Sequence, residues 1–389
     1  MKILFVNRHV ATVGGVERYI RSLAEELSSR GDITAIMHAD EHVDSPFGQC
    51  FRVPDIWDDE LEFTGRAAGA VDRVIDSFDP DRIFIHNLDN GRAIGHLAEK
   101  RSTVMFVHGY KAVDPDGKML LRDPLEADTG PLSPVCFLRA YTRKSMPRNP
   151  CKGIRAYIRA KRTLEAVRSL DRVIVASEHM KKIMSSNGID PSRISVLPYF
   201  TGRPQGPDTD PGPGHVLFAG RLAEGKGLGV LMDALGDVEG PWFLDVAGDG
   251  PLKGDYQRKA EQAGLSPRTA FHGWLSAEQM DVLYRGCAFL VMPSVWPEPF
   301  GISGIEAAVR GRPAVAFDVG GISDWLDHGE TGYLVKPYDR REMARRISQL
   351  LLEPEKTREM GRRARERALD RYSMERHLSV LMELLERAK

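Results

Sequence analysis

The chain has 389 residues, 42% of them hydrophobic and 28% charged, with 54 Lys and Arg against 55 Asp and Glu and a formal net charge of -1 at pH 7. That length exceeds what one hydrophobic core ordinarily supports, so two domains are expected. The balanced charge excludes a global attraction to nucleic acid or to anionic membrane, so any such partner needs a local patch.

In chain order, "KILFVN", "ITAIMH", "RIFIHN", "TVMFVH", "RVIVAS" and "ISVLP" are short apolar runs, each followed by a helical pattern. The same alternation resumes with "HVLFAG", "WFLDVAG", "AFLVMPS" and "PAVAFD". Continuous apolar strands between amphipathic helices describe parallel sheets covered on both faces and built from βαβ units. Between the sixth and seventh runs, "TGRPQGPDTDPGPGH" (201–215) is too rich in Pro and Gly to continue either element and reads as a linker. The expected fold is α/β: two Rossmann-like, doubly wound parallel-sheet domains, 1–200 and 216–371, facing a cleft at the carboxyl ends of their strands. A helix at 372–389 is expected to pack back on the first domain. The opening apolar run turns polar at Asn7 and no later stretch could span a bilayer, so a cytosolic chain is expected. Cys50, Cys136, Cys151 and Cys287 form no C-x-x-C pair, which argues against a zinc site or a disulfide framework.

Three stretches carry chemistry. In "NRHVATVGGVERYI", Gly14 and Gly15 sit at a strand-to-helix turn where backbone amides can approach a phosphate, or where the turn is merely structural. In "FAGRLAEGKGL", Arg221 and Lys226 flank a turn after a strand, suited to converge on a polyanion such as a diphosphate. In "PEPFGISGIEAAVRG", the amides of Phe300, Gly301 and Ile302 open a helix and suit sugar or phosphate oxygens. Glu298 precedes that helix and can accept from sugar hydroxyls; Glu306, about one turn inside, can accept from a ribose diol. The competing reading makes Ser303 and Glu306 an S-x-x-E capping box.

"EPFGISGIE" resembles the E-x7-E signature of family-four retaining glycosyltransferases, which have the GT-B fold of two Rossmann-like domains. "GRLAEGKG" resembles that family's diphosphate-binding segment and "GGVERYI" its N-terminal glycine loop. "VAGDGPL", "FHGWLS", "LVMPS" and "DVGGISDWLDHGETGYLV" resemble it in the expected order. The resemblance implies a nucleotide-sugar donor lying mainly on the C-terminal domain. Arg221 and Lys226 would meet the diphosphate, Glu306 the ribose, Glu298 and the Phe300–Ile302 amides the sugar, and Gly273, Trp274 and Leu275 the base. Gly15 would close on the phosphates, and the variable acceptor would bind the N-terminal domain. It also implies an active-site histidine at His108, although Gly109 stands where several relatives have Asp. No cofactor and no metal are implied, because the two cations supply the charge that a metal otherwise would.

Rival readings rest on weaker signals. "DPD" at Asp79–Asp81 and Asp114–Asp116 and "DTD" at Asp208–Asp210 superficially resemble a metal-binding D-x-D. A catalytically inert sugar-nucleotide-binding protein on the same scaffold is the rival of another class. Finally, residues 134–168 hold ten Lys and Arg against one acidic side chain, Glu165, interleaved with Phe137, Leu138, Tyr141, Ile154, Tyr157 and Ile158. That pattern suits an anionic membrane surface and a lipid-linked glycan acceptor, or else a solvated helix or a patch for a soluble anionic acceptor.

Overall fold

The computed structural model describes residues 1–10, 14–41, 45–57, 63–122, 125–145, 149–202, 212 and 214–388. Most of the expected linker, with Asp208 and Asp210, lies outside them. The chain forms two compact units: Met1–Pro124, Asp128–Pro198 and Leu378–Lys389 make the first, and Leu125–Ala127 with Tyr199–His377 the second.

The first unit is built on strands β1 (Lys2–Val6), β2 (Ile33–His38), β3 (Gln49–Arg52), β4 (Arg82–Ile85) and β5 (Thr103–Val107). Two short strands follow in the chain, β6 (Leu120–Arg122) and β7 (Leu125–Ala127), and then β8 (Arg172–Val175) and β9 (Ile194–Val196). Seven of these form one parallel sheet in the order β3-β2-β1-β4-β5-β8-β9. Its helices are α1 (Gly15–Ser29), α2 (Gly65–Phe78), α3 (Gly91–Lys100), α4 (Val135–Thr142), α5 (Pro150–Ser169) and α6 (Glu178–Ser186). Polar side chains start most of them: Thr64, Asn90, Asn149 and Ser177 each accept a first-turn amide of α2, α3, α5 and α6. At the other end of α2, Asp79 turns the chain into β4 with φ 49, and Asp81 accepts the amide of Lys2, so this "DPD" is a helix-to-strand turn.

The second unit holds β10 (His215–Ala219), β11 (Phe243–Ala247), β12 (Thr269–Gly273), β13 (Phe289–Met292), β14 (Ala314–Phe317) and β15 (Gly332–Val335), parallel in the order β12-β11-β10-β13-β14-β15. Helices α7 (Leu228–Leu235), α8 (Lys253–Gln262), α9 (Ala277–Gly286), α10 (Ile302–Ala308), α11 (Arg340–Leu352) and α12 (Pro354–Arg371) cover it. The last helix, α13 (Met374–Glu386), belongs to the first unit from Leu378 onward, where Arg82 Nε donates to the Leu385 carbonyl at 2.6 Å. Among the described residues no helix is long and apolar enough to cross a membrane.

Both sheets reverse their winding once, between β1 and β4 in the first unit and between β10 and β13 in the second. At such a point the loops leaving adjacent strands diverge to opposite faces and open a crevice at the carboxyl edge. Of the strands not among the apolar runs marked in the sequence, β3, β12 and β15 are edges of the two large sheets, and β6 and β7 pair only with each other. β3 and β12 are largely exposed or half-buried, so they need no continuous apolar run, and β15 is only four residues long.

The basic helix α5 is held tightly to this framework. A Cβ on Gly91, the first residue of α3, would fall 2.5 Å from the main-chain carbonyl of Arg162, and Thr163 Oγ1 donates to the Asp89 carbonyl at 2.7 Å. Gly91→Val is therefore expected to lower the unfolding free energy by about 1–3 kcal/mol, the usual range for overpacking a tight contact. Gly65→Ala, at the start of α2 where nothing lies within 4 Å, should change it by less than about 0.5 kcal/mol. Urea unfolding of the two variants checks the contrast, and equal losses would remove the close-approach explanation.

Candidate active site

The second unit concentrates its chemistry at the β10/β13 switch point. After β10 the chain turns through Gly225 and Gly227, both at positive φ (87° and 73°), and a Cβ on Gly227 would fall 1.8 Å from the Pro293 carbonyl oxygen. Only glycine permits that approach without strain. The Gly225 carbonyl then accepts from the amides of Val295 and Trp296 at 2.8 and 3.0 Å, tying the turn to the segment after β13. This juxtaposition places Lys226 Nζ 2.6 Å from Glu298 Oε1 and 4.4 Å from the centre of the Trp296 ring. Ser294 Oγ lies 2.7 Å from the same carboxylate oxygen. Glu298 is 6% exposed, so its charge is kept out of water only because an ammonium and a hydroxyl meet it. Both use Oε1; among the described residues Oε2 has no protein partner. Arg221, in the same loop, is exposed, and among the described residues its guanidinium is unpaired.

Next along the chain, Gly301 is the N-cap of α10 at φ 93, with no side-chain cap. Ser303 faces the Met292 sulfur at 3.8 Å, so Ser303 and Glu306 form no capping box. Instead Glu306 Oε2 accepts from the Tyr284 hydroxyl at 2.9 Å. Burial first, and then the Glu306 charge, hold Tyr284 well above the usual phenol range, so it remains a donor. Trp325 shapes the turn: its indole N–H donates to the Phe300 carbonyl at 2.7 Å, and its ring fills the space where a Cβ on Gly304 would stand. Among the described residues, the amides of Phe300, Gly301 and Ile302 donate to no group in the protein. At the end of β12, Gly273 turns at φ 71 beside Lys253 and Asp249, Trp274 is 61% exposed, and Leu275 is half-buried. Arg221, Lys226, Glu298, Phe300–Ile302, Glu306 and Gly273–Leu275 thus all lie at or beyond the carboxyl ends of strands of one sheet.

Gly14, Gly15 and His108 lie in the first unit. Gly14 is the extended N-cap of α1 and Gly15 its first residue, but the first turn also carries the buried Glu17, whose carboxylate meets part of the positive helix end. His108 follows β5; its ring stacks on Phe106 at 4.4 Å, and its Nε2 lies 2.8 Å from Nδ1 of the buried His86. Burial drives the His108 pKa down to about 3, so the imidazole is neutral at physiological pH and offers a hydrogen bond rather than a cation. Of the supporting residues, Ser294 ends the "LVMPS" run and Trp296 stands two residues before Glu298, while His86 directly follows the apolar run of "RIFIHN" as His108 follows that of "TVMFVH". Tyr284 and Trp325 had no local signal.

In the unfolded chain His108 binds its proton near 6.5, in the folded one only near 3, so between those values acid favours unfolding. Unfolding free energy is expected to fall as pH drops from 6.5 toward 3, with His108 contributing up to about 1.4 kcal/mol per pH unit. Asp114, raised to about 6 mainly by burial, acts in the opposite sense, so the quantity to compare is wild type against His108→Gln. Chemical denaturation across this window should show a shallower acid loss in the variant; parallel curves would mean that His108 titrates like a free histidine.

The carboxylates of the second "DPD" are engaged within the first unit: Asp114 accepts the amides of Lys118 and Met119 at 2.7 and 2.9 Å, and Asp116 pairs with Arg122 at 2.5 Å. Among the described residues no group of three metal-ligating side chains is assembled.

Comparison with known proteins places the chain. Residues 13–200 match Glycosyltransferase Family 4 and residues 204–367 match Glycosyl transferases group 1. An α-D-kanosaminyltransferase of Streptomyces kanamyceticus is 31% identical over 163 residues, 41% of this chain and 42% of that protein. The curated relatives of this kind are thus matched over less than half of their length. Sucrose-phosphate synthase from Thermosynechococcus elongatus shares the fold with a TM-score of 0.77 at 20% identity, covering 99% of this chain and 98% of its own. The Anabaena protein HepE, in complex with UDP and glucose, does so with a TM-score of 0.74 at 20% identity over 99% of both chains. Two α/β units with parallel sheets, a Lys–Glu pair at the second switch point and these matches agree: the chain belongs to the family-four glycosyltransferases of the GT-B class.

Proposed function

We propose that this chain moves a sugar from a nucleotide-diphosphate sugar to a hydroxyl of a glycan acceptor, with retention at the anomeric carbon and without a metal, in cell-surface polysaccharide or glycoconjugate synthesis. Residues 216–371 hold the donor and residues 1–200 the acceptor. The observation that carries this reading is the Lys226–Glu298 pair: a cation oriented by a buried carboxylate at the carboxyl edge of a parallel sheet, with Arg221, unpaired among the described residues, in the same loop as Lys226. The Anabaena neighbour, solved with UDP and glucose, supports the donor class.

In this reading Arg221 and Lys226 meet the diphosphate, whose charge grows as the bond to the anomeric carbon breaks; preplaced cations stabilise that state more than the ground state. Glu298 Oε2 accepts from sugar hydroxyls while Oε1 keeps Lys226 in place. The Phe300, Gly301 and Ile302 amides take further oxygens, Glu306 takes the ribose diol with its carboxylate oriented by Tyr284, and Gly273, Trp274 and Leu275 receive the base. Gly14 and Gly15 offer amides to phosphate oxygens, and His108 is a neutral hydrogen-bond partner. With no side-chain nucleophile assigned, the acceptor oxygen attacks the face that the diphosphate leaves, and the departing phosphate oxygen takes its proton.

Lys226→Ala and Glu298→Ala are expected to lower turnover by at least about a hundredfold with the fold intact by circular dichroism, and EDTA should leave activity unchanged. Variant activity within a few-fold of wild type would overturn the donor site, and loss with EDTA restored by manganese would overturn metal independence. Nucleotide binding without donor hydrolysis or transfer would favour an inert binding protein.

The acceptor we propose is lipid-linked, met at the cytoplasmic face of a membrane. Within 134–168 the large apolar side chains Val135, Leu138 and Ile154 are 50, 63 and 48% exposed beside the cations of α4 and α5, as a surface resting on anionic headgroups requires. Leu138→Glu with Ile154→Glu should abolish co-sedimentation with anionic vesicles at low salt while transfer to a soluble acceptor persists; unchanged sedimentation would overturn the membrane surface.

A further inference from the structure

The first unit contains a cavity of about 590 Å3 at its own switch point. Its walls come from residues just past three strands: Arg8 beyond β1, Asp89 and Asn90 beyond β4, and Lys111 with Asp114–Gly117 beyond β5. The amino-terminal half of α5 closes it with Lys152, Arg155 and Arg159, and Trp57 adds an apolar wall. The spacing of those three cations, three and four residues, aligns them on one face of the helix. The volume is that of a small-molecule site, and the position is where an open α/β sheet binds ligands.

The charges in this cavity are unevenly satisfied. Its carboxylates are already engaged: Asp89 pairs with Lys111 at 3.1 Å, Asp116 with Arg122 at 2.5 Å, and Asp114 accepts two main-chain amides. Among the described residues, the side chains of Arg8, Lys152, Arg155 and Arg159 have no hydrogen bond or ion pair. Asn90 adds a second kind of unmet demand. It is 2% exposed, its Oδ1 caps α3, and its Nδ2 is buried without a hydrogen-bond partner. Four unpaired cations and one buried unpaired donor around a single cavity call for a ligand with several acceptor oxygens and more than one negative charge. A phosphate ester has both, whereas a carboxylate has two oxygens and one charge.

We propose that this cavity is a phosphate-recognition site, in which Arg8, Lys152, Arg155 and Arg159 neutralise a phosphate ester carried by the acceptor and Asn90 donates to it. The cations serve as counter-charges and the carboxylates at the rim accept hydroxyls of the attached polyol or sugar, which gives a phosphorylated polyol or sugar as the acceptor class. Assigning the phosphate to the acceptor rests on the transferase reading above; the phosphate site itself does not.

The test titrates the full chain with sorbitol 6-phosphate, sorbitol and glucuronate by calorimetry. It is done in the Lys226→Ala background so that the donor site contributes little phosphate binding. The expected result is a saturable isotherm for the phosphate ester alone, weakened about tenfold or more by Arg155→Ala with Arg159→Ala. Arg155→Lys with Arg159→Lys, which keeps the charge, should restore most of it. An unchanged isotherm in the alanine variant, or equally tight binding of sorbitol or glucuronate, would overturn the proposal. Vesicles containing phosphatidic acid identify the source of the phosphate: sedimentation blocked by sorbitol 6-phosphate assigns it to a lipid headgroup, and soluble binding without it assigns it to a free ester. Binding of neither probe would overturn the site. Nucleotide titration of the Arg155/Arg159 alanine variant with Lys226 intact reads the donor site separately, so its failure would count against the transferase reading and leave the phosphate isotherm standing.

Discussion

The 2.6 Å contact between Lys226 and the buried Glu298 is the interaction on which the switch point of the second unit depends. A carboxylate that is 6% exposed costs several kcal/mol unless a counter-charge and hydrogen bonds meet it. Lys226 and Ser294 both do so, and the requirement fixes the loop after β10 against the loop after β13. The glycines around the pair follow from the same closeness: Gly227 lets one loop reach Pro293, and a Cβ on Gly320, at φ 60, would strike the Glu298 main chain. Without the pair neither the cation nor the free carboxylate oxygen would have a defined position, and preorganised charge is what this chemistry needs.

The two units use the same topological device with opposite electrostatic economy. In the second unit a cation at the switch point is held by a buried partner and an aromatic ring, Tyr284 holds the Glu306 carboxylate, and Trp325 holds the Phe300 main chain. In the first unit the acidic groups at the switch point are satisfied internally, while four cations are left exposed around a cavity. A rigid, paired constellation suits a ligand part that is always the same, such as a diphosphate leaving group. A cavity with unpaired counter-charges suits a ligand that brings its own charge.

The basic segment 134–168 shows how one composition serves two surfaces. Helix α5 buries the small and apolar side chains Gly153, Ala160, Leu164 and Val167 and lies close enough to α3 that glycine is needed at Gly91. Of the segment's cations, Lys152, Arg155 and Arg159 then line the cavity, while the apolar Val135, Leu138 and Ile154 stay exposed.

Much of this was written in local pattern. Continuous apolar runs are legible because a central parallel strand is buried on both faces, and they announced the α/β fold; β3 and β12 stayed silent because these edge strands are largely exposed or half-buried. The family was legible because "EPFGISGIE" and "GRLAEGKG" place charges at fixed offsets from strand ends, where the backbone alone sets their spacing. The sequence could not decide between a capping box and a ligand role for Glu306, since S-x-x-E is compatible with both. Tertiary structure decided that Gly301 caps α10 and that Glu306 pairs with Tyr284, a residue from another helix. Likewise only folding brought Lys226 to Glu298, His86 to His108, and Arg8 to the same cavity as Arg155. Each of these pairs joins residues separated by many positions, and which of them meet is set by strand order and loop approach, quantities that no local periodicity contains.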